Sequence, residues 1–445
     1  LSEAMAHKNE AIGERTMHSA RTKGHFHIFH VALRFASTKL AAAVSRDALI
    51  SATLSALLLI AARQAQAITE TVLYTFCSQP HCSDGLYPNS RLTSDGIGDF
   101  YGTTYEGGLT SGGAGLGYGT VFELSPNGSG GWNETVLYSF TGGSDGAYPA
   151  YSYVIFDSVG NLYGTTYYGG ANGFGVVFEL SPTGTRWTET VLHSFTGGAD
   201  GAYPVSGLIT DGAGNLYGTN FEGIFELSPS SGGWTEEVIY NVSMGYAGVT
   251  MDSAGNIFGA GYTTVFKLSP NGKGGWNPTV IHTFAGAPND GNAAQGTPTL
   301  DAAGDLYGTT YQGGLKNLGT VYKLSPGMKG KWTEKILHSF AGNPKDGDQP
   351  WGEIAFDTAG NIYGTTVYGG AVGIGTVFEM AAPVGASSHY KEKTLMSFGG
   401  YDGANGYYQG DYPFSGLIRD SAGNLYGTTY TGGSNGAGVV FQVTP

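Results

Sequence analysis

Residues 152–195 read SYVIFDSVGNLYGTTYYGGANGFGVVFELSPTGTRWTETVLHSF. Four short runs rich in β-branched and aromatic residues are separated here by turn residues: SYVIFD (152–157), LYGTTYY (162–168), GVVFELSP (175–182) and WTETVLHSF (187–195). Runs of this kind, punctuated by Gly, Asn, Asp and Pro, predict a four-stranded antiparallel meander. The first turn, Asp157 to Asn161, has a mechanism. A carboxylate at its first position accepts backbone N–H groups, and Gly three residues later supplies the positive φ of a tight hairpin.

The phrase around that turn occurs six more times, as SDGIGDFYGTT (94–104), DGAGNLYGTN (211–220), DSAGNIFGAG (252–261), DAAGDLYGTT (301–310), DTAGNIYGTT (357–366) and DSAGNLYGTT (420–429). The glycines after the aromatic fall at Gly102, Gly164, Gly218, Gly259, Gly308, Gly364 and Gly427, a mean spacing of about 54 residues. Four-stranded units at a period near 40 to 50, lengthened by loop insertions, predict a seven-bladed β-propeller. Because the turn aspartate recurs in every unit, it reads as structure and not as a metal or catalytic group.

The two ends of the repeat array complete each other. The last unit stops at GVVFQVTP (438–445) without its fourth strand, and TETVLYTF (69–76) precedes the first turn with no blade of its own. Placing residues 69–76 on the last blade gives seven complete blades and removes an exposed sheet edge. Trp132, Trp187, Trp234, Trp276 and Trp332 open the fourth strand of their units, with Tyr390 in the sixth. An aromatic recurring once per blade on an outer strand reads as blade-to-blade packing. His193, His282 and His338 share a slot with Tyr74, Tyr138 and Tyr240, and the same logic makes them packing positions and not ligands.

Residues 1–67 have a different character. They carry 8 Lys and Arg against 4 Asp and Glu; subtracting these from the whole-chain 21 and 35 leaves 13 basic and 31 acidic residues, a formal charge of −18 after position 67. That balance argues against nucleic acid or an anionic membrane as partner, since phosphate contacts need clustered Lys and Arg. Arg34, Lys39 and Arg46 precede the apolar run Ala48 to Ala62, and Ala65-Gln66-Ala67 follows as a small-x-small site. We therefore expect a secretory signal cleaved after Ala67, leaving residues 68–445 as the propeller with no membrane span, because a run of 15 apolar residues is short of the roughly 20 that cross a bilayer. Cys77 and Cys82 are the only cysteines. In an oxidising compartment a pair this close forms a disulfide, and His81 alone would not make a metal site there.

The units GNLYGTTYYGGANGFGVVFELSP and their recurrence over residues 69–445 resemble the GloVer (Gloeo–Verruco) repeat of exported bacterial proteins. The resemblance implies an extracytoplasmic, propeller-like array and carries no established activity.

Loops between strands two and three, and loops between blades, open on one face, which is the candidate site. The inter-blade loops carry Asp-Gly at Asp84, Asp145, Asp200, Asp290, Asp346 and Asp402. Such carboxylates either cap their own loops or present a ring of ligands, and capping is the stronger reading for a pair that repeats like a turn signature. Units three and four have short loops, whereas 105–119, the cysteine loop and 399–413 are long. The mouth is therefore expected to be low over blades three and four, with an incoming ligand meeting Tyr105, Glu106, Asp402, Tyr407, Tyr408 and Asp411. G-x-S-x-G at 142–146 and 432–436 lacks the strand-to-helix context of a nucleophile elbow. No catalytic residue, metal or cofactor is expected, and a monomer is. The leading expectation is a secreted binding module for glycans or envelope polymers. A polysaccharide hydrolase or lyase using Glu106, Asp402 or Asp411, and a structural surface protein, are the alternatives.

Overall fold

The computed structural model describes residues 68–109, 116–385, 389–399 and 409–445. Residues 1–67, where a leader and its cleavage after Ala67 are expected, lie outside the described residues. Seven antiparallel sheets carry the seven repeats; six are meanders in chain order and the seventh is completed by the first strand of the chain. Their second strands, Phe100–Thr104, Leu162–Thr166, Leu216–Asn220, Ile257–Ala260, Leu306–Thr310, Ile362–Gly369 and Leu425–Thr429, define blades 1 to 7. Blade 7 runs Ile418–Arg419, Leu425–Thr429, Val439–Thr444 and then Thr69–Thr75. That last pairing is antiparallel, with Thr69 opposite Thr444 and Thr75 opposite Val439.

The repeated residues have physical jobs. A Cβ on Gly164 would stand 2.6 Å from the Phe178 ring, and the same ring position crowds Gly364 and Gly427, so the YGT glycine is dictated by the Phe of the neighbouring VFEL strand. The first Thr after that glycine is buried and donates from Oγ1 to a carbonyl of the next blade: Thr103 to Ser152 (2.9 Å), Thr165 to Ser206 (3.0 Å), Thr219 to Ala247 (3.0 Å) and Thr365 to Ser415 (2.7 Å). Thr428 donates to the Ser90 carbonyl at 2.9 Å, which ties blade 7 to blade 1. At the turn, Asp157 Oδ1 accepts the Val159 and Asn161 amides, both at 2.9 Å. Burial opposes ionisation there, but these bonds hold the carboxyl below its ordinary range.

The core is a series of apolar clusters at the blade seams. One joins Phe76, Tyr426 and Val440 of blade 7 to Leu92, Phe100 and Phe122 of blade 1. The outer-strand tryptophans belong to these seams. Trp234 packs on Tyr163, Trp276 on Tyr217 and Trp332 on Phe258, in each case an aromatic of the preceding blade. Cys77 and Cys82 form a disulfide in the loop from blade 7 to blade 1.

Candidate functional site

Each inter-blade loop leaves an outer strand and returns toward the ring axis. On six of these returns one non-glycine residue sits at positive φ: Tyr87 (60°), Tyr148 (54°), Tyr203 (57°), Ala293 (56°), Gln349 (55°) and Tyr412 (56°). Side chains rarely adopt such φ values, and surrounding bonds have to impose them. Tyr148 shows how. Its N–H donates to Tyr118 O of blade 1 (2.7 Å), and its carbonyl accepts the Tyr167 N–H of blade 2 (3.0 Å). Tyr87 and Tyr412 are held in the same way between their own blades. The imposed turn aims the ring into the mouth, where it meets the tyrosine that follows YGTT. Tyr87 stacks on Tyr430 at 4.9 Å, Tyr203 on Tyr167 at 5.2 Å, and Tyr148 tilts against Tyr105 at 5.1 Å.

Blade 2 adds one residue between its loop proline and its first strand, and that residue is Tyr151, at φ 56°. Tyr151 reaches across the axis. It meets Tyr246 at 4.9 Å, Trp351 of the opposite side at 5.8 Å and Phe414 at 6.3 Å. This cluster floors a recess of about 390 Å³ lined by Asn89, Tyr105, Ala150, Tyr151, Tyr167, Tyr168, Tyr246, Phe414 and Tyr430. Toward the first strands, Arg91 Nε lies 2.7 Å from Glu353 Oε1, and its guanidinium stands 4.1 Å over the Tyr153 ring. Burial raises the hydroxyls of Tyr105, Tyr246 and Tyr430, and that of Tyr167 to about 12, so at neutral pH the mouth offers uncharged phenols. The aromatics crowd the arc of blades 7, 1, 2 and 3. Across the ring the corresponding positions hold Ala293, Gln349 and Val367, with Tyr311 the one tyrosine among them, its ring against Trp351.

Of the expected site residues, Tyr105 lines the recess. Glu106 follows it, its backbone paired with Leu86, and burial raises its carboxyl. Asp411 pairs with Thr431 in a short two-stranded piece, and burial raises it too. Asp402, Tyr407 and Tyr408 lie outside the described residues. The short loops of blades 3 and 4 are present, as Phe221–Glu222 and residues 261–263. The residues that the sequence reading passed over are the loop tyrosines, Tyr151 and Trp351. Their signal was the recurring Tyr-Pro after Asp-Gly and the single extra residue in blade 2.

The five described inter-blade aspartates are not among the residues lining the recess and sit at the seams between outer strands. Asp145 accepts the Thr141 N–H (2.8 Å) and the Tyr138 hydroxyl (3.0 Å), and Asp84 accepts Ser78 N–H and Tyr74 hydroxyl at 2.8 Å each. Asp200, Asp290 and Asp346 cap their loops likewise, with the His193, His282 and His338 rings in the tyrosine slot. Those histidines pack edge-on against Phe195, Phe284 and Phe340, and their Nε2 atoms also face carboxylates, so packing is only part of their role. A glutamate from the next outer strand completes each seam. Burial pushes Glu134 up to about 8 and Glu189 and Glu236 to about 7, with Asp84, Asp145 and Asp200 respectively adding repulsion.

With this geometry in hand, the sequence can be set beside known proteins. The Gloeobacter/Verrucomicrobia repeat matches residues 63–260 and again 245–445. The chain belongs to this repeat family. In this member the NLYGTT and VFELSP strands build blade and seam. No curated protein matches this member of the repeat family in sequence. In fold it is similar to a streptogramin B lyase structure, at 15% identity and TM-score 0.50, covering 85% of this chain and 97% of that one. It is also similar to selenomethionine-substituted virginiamycin B lyase from Staphylococcus aureus, at 13% identity and TM-score 0.51, covering 85% and 99%. At such identities the likeness is one of propeller fold. Among the described residues, no helix is long and apolar enough to cross a membrane.

Proposed function

We propose that residues 68–445 form an exported binding module whose aromatic mouth takes an uncharged, flat-faced ligand of the glycan class. The observation that carries this reading is the convergence of Tyr105, Tyr151, Tyr167, Tyr168, Tyr246 and Tyr430 on one recess. A pyranose ring presents C–H faces that stack on such rings, while its hydroxyls hydrogen-bond to phenols and to Asn89. Four of the six inter-blade loop positions held at positive φ carry tyrosine. Export is supported by the leader of residues 1–67, with cleavage after Ala67, and by the Cys77–Cys82 disulfide.

Binding is preferred to hydrolysis or elimination because the recess is lined by tyrosines, Phe414, Ala150 and Asn89, with no carboxylate among the lining residues. Paired carboxylates are what glycoside chemistry uses. The test is retention of the full chain on a panel of immobilised polysaccharides and glycans, with reducing-end release measured in parallel. Retention that falls about tenfold in Tyr167→Ala and in Tyr430→Ala, roughly 1.4 kcal/mol each, with no release of reducing ends, is the expected result. Release abolished by Glu106→Gln would make the protein a hydrolase or lyase. No retention on any member of the panel would leave a structural role.

A further inference from the structure

The seam clusters differ from one another in a way that points to a ligand. Where the slot holds Tyr, the hydroxyl donates to the aspartate at ordinary hydrogen-bond length, 2.8 Å for Tyr74 and 3.0 Å for Tyr138. Where it holds His282, Nε2 stands 3.4 Å from Asp290 Oδ2 and also 3.4 Å from Glu334 Oε1. A neutral imidazole nitrogen carries at most one hydrogen, and an N–H···O bond favours about 2.9–3.0 Å. Accordingly His282 Nε2 is a buried atom without a hydrogen-bond partner; Glu334 Oε1 is another, as are the Oε1 atoms of its counterparts Glu134, Glu189 and Glu236 at the other seams, so the histidine nitrogen is what sets this seam apart. The next seam brings together the same residue types, His338, Asp346 and Glu392, and there His338 Nε2 and Asp346 Oδ2 are hydrogen-bonded at 3.1 Å. In both sets the three donor atoms lie within 4.8 Å of one another.

We propose that the seams between blades 4 and 5 and between blades 5 and 6 each bind a divalent transition cation of the zinc class through one His, one Asp and one Glu. Ligand atoms on a tetrahedral ion at about 2.0–2.1 Å stand about 3.3 Å apart, which matches the spacing around His282. Both aspartates are buried, at 8% and 9% exposure, and each keeps its orientation through loop amides: Ala285 and Gly291 donate to Asp290, and Ala341 and Gly347 to Asp346. Those bonds are the outer support that a ligating carboxylate needs. One ion would join an outer strand and loop of one blade to the outer strand of the next. At the His193 seam the donor atoms with Glu236 do not all come within 4.8 Å, so that seam is not assigned an ion.

The full chain, stripped with a chelator and dialysed to equilibrium against Zn²⁺, is expected to take up about two ions, a count set by the two clusters. His282→Tyr and His338→Tyr each lower uptake to one ion and together abolish it. Tyrosine already occupies this slot in blades 1, 3 and 7, so these variants keep the fold. Glu134→Gln, at a seam with Tyr74, leaves the count at two. Co²⁺ in place of Zn²⁺ gives tetrahedral visible bands that vanish in the double Tyr variant. Absence of saturable uptake by the wild type, or uptake unchanged in the double variant, overturns the proposal.

Discussion

The seam between blades 1 and 2 and the seam between blades 3 and 4 solve one packing problem with different chemistry. The first places Tyr138, Asp145 and Glu189 together, so two carboxylates and a phenol share a partly buried space. In the second, the loop from Asn241 to Gly248 carries no Asp-Gly, Pro278 stands where the other outer strands place glutamate, and Met244 is fully buried. Its cluster joins Tyr217 and Ile224 to Val249, Ile257 and Phe266. Aspartate and glutamate are absent from this seam together. A buried polar set is tolerable when complete and costly when halved, and an apolar filling replaces it without loss.

The largest effect that tests this contrast is Asp145→Ala. It strips the Thr141 amide and Tyr138 hydroxyl of their acceptor, and urea denaturation should show a loss of about 2–3 kcal/mol. Asn241→Ala in the apolar seam should stay within about 0.5 kcal/mol. An Asp145→Ala loss no greater than that of Asn241→Ala would erase the difference between the seams. Next, Thr103→Ala and Thr219→Ala should each cost about 1 kcal/mol, since both seams keep the hydroxyl bond near the axis. Unequal losses would extend the contrast inward.

The smallest effect is a pH slope. Glu134 and Glu189 titrate near 8 and 7 in the fold, chiefly through burial, against about 4.5 in the unfolded chain. Between those values the fold holds protons that the unfolded chain has released, so their contribution is complete below pH 4.5 and is lost as pH rises through 7 to 8. Tm should therefore decline across that window. Glu134→Gln and Glu189→Gln should each flatten the decline, and a decline unchanged in both would show that these carboxyls do not hold the proton.

What repeats was legible before any coordinates. Seven copies of the turn, the N-terminal strand paired with the last blade, seen as Thr69–Thr75, and the capping role of the five described loop aspartates could be read by comparing units. The mouth could not, because its features depart from the repeat or from local rules. The residue before a proline is expected to be extended at negative φ, yet Tyr87, Tyr148, Tyr203 and Tyr412 precede prolines at positive φ. Tyr151 is a one-residue excess that only the register of blade 2 reveals. The histidine seams were hidden for a different reason. Their ligand sets combine residues from two blades about 50 positions apart, and nothing local brings Glu334 to His282.

The last blade has a mechanical consequence. Thr69 faces Thr444 and Thr75 faces Val439, so the outermost rung of that strand pair is the one beside both outgoing chain segments. Tension applied through residues 68 and 445 would load the rungs one after another, as a zip opens, and not all at once in shear.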